Sequence, residues 1–169
     1  EKIYLHLDRP SYWAGDDTRV QAHIAETRRV WESPGEPTLV FACATCSMML
    51  GAFLPGAPRV SVYELLAKSG AIKPAAPFAE AAVFDPCNAR DDTGMEAAVR
   101  ELARAAGVDV HELPEKNRCC GHGGHIRVAN PALYEEIARH RAQAGEQPYL
   151  VYCANCRDVF AWRGKECAH

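Results

Sequence analysis

No stretch of the sequence approaches the roughly 20 consecutive apolar residues that a membrane-spanning helix needs, so no direct span is expected. There is no basic run either. Lys and Arg total 19 against 22 Asp and Glu, a net charge of −3, which leaves no footing for nucleic-acid binding or a polybasic membrane contact. No glycine-rich nucleotide-binding fingerprint is present. Two C-x-x-C pairs about 15–20 residues apart, the mark of a zinc ribbon, are missing, and no third cysteine follows a C-x-x-C closely enough for ferredoxin spacing.

Cysteine is abundant instead, eight in 169 residues. Apolar residues make up 48% and charged residues 24%, ordinary for a globular chain of one domain or two small fused ones. The core this permits argues against a disulfide framework and for metal or redox chemistry. The chain opens on Glu1 and ends in "KECAH", and we expect an excerpt of a longer protein.

Two segments are alike, "LVFACATC" (39–46) and "YLVYCANC" (149–156), at an offset of 110 residues. The same offset sets Gly35-Glu36 on Gly145-Glu146 and Arg29 on Arg139. It carries Cys119-Cys120 onto Arg9-Pro10, and Cys87 onto a position before Glu1. The expected division is therefore residues 1–57 as the back half of a degenerate first repeat and 58–169 as a complete second one. Tyr12 and Trp13 follow directly on the stretch where the first copy's Cys-Cys-Gly would be and are expected to fill the vacated volume as core. Met48 and Met49 are expected to pack beneath.

Short apolar runs predict strands at 38–42, 59–62, 81–85, 108–113 and 148–152. Helical spacing predicts helices after 62 ending at Gly70, over 94–107, over 130–145 and from 154. Asn130 is the expected N-cap of the third, Pro131 its first residue and Gly145 its stop. Strands alternating with helices predict an α/β fold with mostly parallel strands. Cys43, Cys87 and Cys153 then each follow a strand, at the carboxyl edge where open parallel sheets bind ligands. Cys119 and Cys120 can reach that edge from the loop after 113. Adjacent cysteines rarely bridge each other, because the small ring strains the disulfide. Five thiols, Cys87, Cys119, Cys120, Cys153 and Cys156, are more than one tetrahedral zinc can use and suit an iron–sulfur cluster better. Buried structural thiols or a zinc site are the alternatives.

"VFDPCNAR", "ELPEKNRCCGHGGHIRVANP" and "YLVYCANCRDVF" together resemble the cysteine-rich CCG domain. That family includes the catalytic subunit of heterodisulfide reductase and iron–sulfur subunits of glycolate, lactate and glycerol-3-phosphate oxidoreductases. The resemblance implies that Cys87, Cys119, Cys120, Cys153 and Cys156, in a CX31CCGX31CXXC pattern, hold one [4Fe-4S] cluster, noncubane or cubane, with zinc as the alternative. It implies an oxidoreductase domain for electron transfer and disulfide reduction, or else a non-catalytic relay or zinc-stabilised docking module. Implied partners are other redox subunits or domains carrying flavin or ferredoxin-type clusters, with a disulfide or thiol substrate, in the cytoplasm or at a membrane through those partners. Gly121, with Gly123 and Gly124, is expected to let the backbone approach the cluster and donate amides to sulfur. Cys43 and Cys46 are weaker metal candidates: a remnant pair, a redox disulfide or part of another site. His122 and His125 are expected as polar loop residues, with proton donation to a leaving thiolate as the alternative; His6 carries less. Asp85-Pro86 is expected to shape the strand exit, and Cys167 is assigned nothing.

Overall fold

Parallel strands cannot be joined by tight turns, so each pair requires a crossover, usually a helix. Among the described residues three of the four parallel pairs are joined directly through a helix. In a computed structural model, which describes residues 9–70 and 77–169, helices Arg9–Ala14 (α1) and Asp17–Glu32 (α2) come first. His6 lies outside the described residues. Strands Leu39–Phe41 (β1) and Arg59–Ser61 (β2) pair in parallel across helix Ala44–Phe53 (α3). Helix Val62–Ser69 (α4) follows directly, its first turn closed by a reciprocal capping box between Ser61 and Glu64 and its end by Gly70 at φ +57°.

A second sheet holds four parallel strands. Glu80–Phe84 (β3) crosses through helix Thr93–Ala105 (α5) to Asp109–Glu112 (β4). Helices Ile126–Ala129 (α6) and Pro131–Ala142 (α7) lead to Tyr149–Val151 (β5), which crosses through Ala154–Ala161 (α8) to Cys167–Ala168 (β6). The order is β4-β3-β5-β6. From β3 the chain steps outward to β4, then returns to the other side of β3 before stepping outward again. That reversal makes the gap between β3 and β5 a topological switch point, the place where open α/β sheets leave a crevice at the carboxyl ends.

The core beneath the crevice is aromatic. Phe84 stands edge-on to Phe160 at 4.6 Å, and Phe160 edge-on to Tyr149 at 5.3 Å, all three completely buried. Tyr149 is satisfied there, its hydroxyl donating to the Arg141 carbonyl at 3.0 Å and accepting the Gly145 N–H at 3.0 Å.

Elements coincide at the 110-residue offset: β1 with β5, and the first residue of α3 with that of α8. Cys43 and Cys153 cap those two helices with nearly the same backbone, φ −140°, ψ 125° and φ −143°, ψ 120°. Asn130 caps α7 through the Leu133 N–H, with Pro131 at the first position. Three expectations fail locally. Gly145 does not stop α7, which ends at Ala142; its missing side chain instead leaves room for Leu113, 2.6 Å from where a Cβ would stand. Tyr12 is 49% exposed rather than core, because α1 turns it outward along Phe53. Met48 is 41% exposed while Met49 is buried.

Candidate metal centre

The carboxyl end of β3 leads through Asp85 and Pro86 into a 3-10 turn that begins at Cys87, and the end of β5 leads through Tyr152 to Cys153. A buried clamp fixes these two exits against each other. The Tyr152 hydroxyl donates to Asp85 Oδ1 at 2.6 Å, and Arg100 of α5 donates to both carboxylate oxygens at 2.9 and 2.7 Å. Asp85 does sit at the strand exit, as expected, and there it ties the two cysteine-bearing strands together.

Cys119 and Cys120 arrive from the loop after β4, the strand on the far side of β3. Gly121 holds φ +94°, where a side chain is strained, and a Cβ there would meet Tyr134 and Ile137 at 3.4 Å. Its N–H donates to Cys119 Sγ at 3.2 Å. Cys156 lies in the first turn of α8, its thiol 3.3 Å from Cys120 Sγ.

These five cysteines all line one cavity of ≈110 Å3. Cys120, Cys153 and Cys156 are buried, Cys87 is half-buried and Cys119 exposed. Cys43 and Cys46 stand outside the cavity wall, yet Cys43 is hydrogen-bonded to Cys153 and to Cys46. Cys167 lies apart, its thiol directed at the Arg157 carbonyl at 3.5 Å.

Crowding thiols makes them ionise unequally. Hydrogen bonds from the Cys120 and Cys87 thiols, with the Gly121 and Gly123 N–H groups, draw Cys119 down to about 2. Cys43 is drawn far down by the thiols of Cys153 and Cys46 and by the N–H groups of Cys46 and Ala154. The others go up. The Cys119 thiolate pushes Cys120 to about 12, and Cys119 together with burial pushes Cys87 up. Cys156 is raised by Cys120, Cys153 and burial. Cys153 is drawn down by the Cys156 thiol, but Cys43 and burial outweigh that and raise it. The set therefore holds few negative charges by itself. Full deprotonation requires a strong positive charge among the sulfurs, which is what a metal group supplies.

The five thiols around one cavity are a donor set suited to a metal ion or an iron–sulfur cluster. Among the described residues no three His, Cys, Asp or Glu side chains are arranged to hold a single metal ion.

Other residues complete the walls and were not singled out by their sequence. Thr45 and Asn155 both line the cavity, and the 110-residue offset places one on the other, the signal that would have found them. Trp13, expected as core, is half-buried at the cavity edge, its ring 6.2 Å from that of His122 and 5.7 Å from that of His125. Met48 and Met49 of α3 line the same cavity. His122 lines the cavity.

Comparison with known proteins agrees with this site. Residues 81–160 match the profile of the cysteine-rich domain (CCG). A 58-residue segment is 33% identical to lactate utilization protein A of Oceanobacillus iheyensis, covering 34% of this chain. The match spans 24% of that relative's length. No described helix is long and apolar enough to cross a membrane.

Proposed function

We propose, from the match of residues 81–160 to the cysteine-rich CCG domain, that the chain is an iron–sulfur redox domain holding one [4Fe-4S] cluster. Cys87, Cys119, Cys120, Cys153 and Cys156 are its ligands. The observation that carries this reading is the convergence of five thiols, from three adjacent strand ends, on one cavity at the switch point of the sheet. Bound there, the cluster supplies one-electron chemistry between a partner's redox group and a disulfide or thiol. The chain's own residues do the rest. Gly121 donates its N–H to Cys119 Sγ, the Asp85–Tyr152 clamp sets the spacing of Cys87 and Cys153, and Trp13 with the two methionines gives the cavity an apolar lining.

Within that reading the domain belongs to a longer heterodisulfide reductase-like protein of the cytoplasm. It exchanges electrons with subunits or domains that carry flavin or ferredoxin-type clusters. The similarity to lactate utilization protein A of Oceanobacillus iheyensis supports a place in lactate utilization. A relay role, rather than disulfide reduction at two equivalent centres, is favoured by one observation: at the 110-residue offset Arg9-Pro10 stand in sequence where Cys119-Cys120 stand in the complete motif.

Serine substitution tests the ligand set. After anaerobic reconstitution with iron and sulfide, C119S/C120S and C153S/C156S are expected to lose the cluster's visible absorption and its iron, and C167S to keep both. Full iron retention in C119S/C120S, or equal loss in C167S, would remove the assignment.

A further inference from the structure

The remnant first repeat sends one hydroxyl into the site. Thr45, 3% exposed in the first turn of α3, places Oγ1 3.2 Å from Cys153 Sγ. Its oxygen also accepts a hydrogen bond from Asn88 Nδ2 at 2.9 Å. The Cys87 thiol donates to Asn88 Oδ1 at 3.7 Å, a contact that ends when Cys87 is a thiolate, so in the loaded site Asn88 is oriented through Thr45. A hydroxyl has one proton. With the Asn88 amide donating to Thr45, that proton is left for Cys153, and a thiolate at Cys153 can only accept. The two segments are also fixed by backbone, the Ala44 N–H donating to the Tyr152 carbonyl at 3.1 Å. Thr45 therefore has little freedom to turn away.

We infer that Thr45 is a positioning residue of this centre. Its hydroxyl, oriented by Asn88, donates a hydrogen bond to the Cys153 thiolate and thereby raises the reduction potential of the group bound there. The physical basis is direct. Reduction adds negative charge, part of which falls on the ligand sulfurs, and a donor aimed at one of them stabilises the reduced state more than the oxidised one. The role also accounts for a feature of the first repeat. That copy lacks the paired cysteines, yet its C-x-x-C helix is packed against the complete site, with Thr45 between Cys43 and Cys46 as the contact. Asn155 occupies the corresponding place in the second copy.

The inference rests on the proposed ligand reading, and its test separates the two. Wild type, Thr45→Val, Thr45→Ser and Asn88→Leu are purified anaerobically. Iron and sulfide are quantified, melting temperatures recorded, and midpoint potentials taken by EPR-monitored titration. Valine keeps the shape and removes the donor. Its expected midpoint lies about 59 mV more negative than wild type, the one-electron equivalent of a tenfold change. Serine keeps the hydroxyl and is expected within a third of that shift. N88L is expected to move in the same direction as T45V by a smaller amount. A T45V midpoint equal to wild type, or a T45S shift as large as T45V, overturns the inference while leaving the ligand reading intact. Should T45V not fold, an unchanged midpoint in N88L overturns it instead. Wild type that takes up neither iron nor sulfide overturns the ligand reading and this inference with it.

Discussion

Replacing Arg100 with methionine should destabilise the protein by about 3–5 kcal/mol, the cost of leaving one partner of a buried ion pair uncompensated. The Asp85 side chain is 2% exposed and Arg100 11%, so neither is hydrated enough to discount the pair as a surface bridge. Without Arg100 the carboxylate keeps the Tyr152 hydroxyl at 2.6 Å and Lys116 at 4.0 Å, a cation itself half exposed. At about 2–4 °C per kcal/mol for a chain of this size, the melting temperature should fall by roughly 6–20 °C. Glu112→Gln is the internal control. Glu112 bonds the same guanidinium at 2.6 Å but is 55% exposed, so its loss should cost under about 1 kcal/mol. Thermal unfolding followed by circular dichroism on the two variants decides the point. An R100M protein melting within about 2 °C of wild type, or an E112Q protein falling as far as R100M, would refute the assignment of the clamp to Asp85.

Three further outcomes follow from the same geometry. Gly121→Ala should destabilise by about 1–2 kcal/mol, since alanine is forced to φ +94° against Tyr134 and Ile137, and chemical denaturation will read the change. Phe84→Ala, which empties the centre of the buried aromatic group, should cost about 3–5 kcal/mol in the same assay. The third concerns pH. Cys87, Cys120, Cys153 and Cys156 all have raised values, so they are protonated in the empty site at neutral pH and must release protons on loading. Metal retention should therefore strengthen as pH rises and weaken as it falls. Loss to a chelator should be slower at about pH 8 than at about pH 6, and the opposite order would contradict the directions given for these thiols.

What the sequence disclosed and what it concealed divide along a physical line. β1, β3 and β5, which lead into Cys43, Cys87 and Cys153, are short apolar runs, and Asn130-Pro131 is a local helix start, so neighbouring residues alone specify them, whereas the two-residue β6 left no such signal. The 110-residue repeat aligned β1 with β5 because a C-x-x-C after a strand is a compact signal. The Asp85–Tyr152 contact joins residues 67 apart and has no period to betray it. Thr45 and Asn88, 43 apart, are concealed for the same reason. Tyr12 and Trp13 share a short helix, and only packing decides that Trp13 faces the thiols while Tyr12 faces water. The three-residue strands β1, β2 and β5 show how little sheet is needed to aim a cysteine once the crossovers are in place.

The most direct test of the central claim is the iron, acid-labile sulfide and zinc content of anaerobically purified protein. One cluster held by the five thiols predicts about four irons and four sulfides per chain with little zinc. Stoichiometric zinc without sulfide would contradict the redox reading and leave a structural metal module in its place.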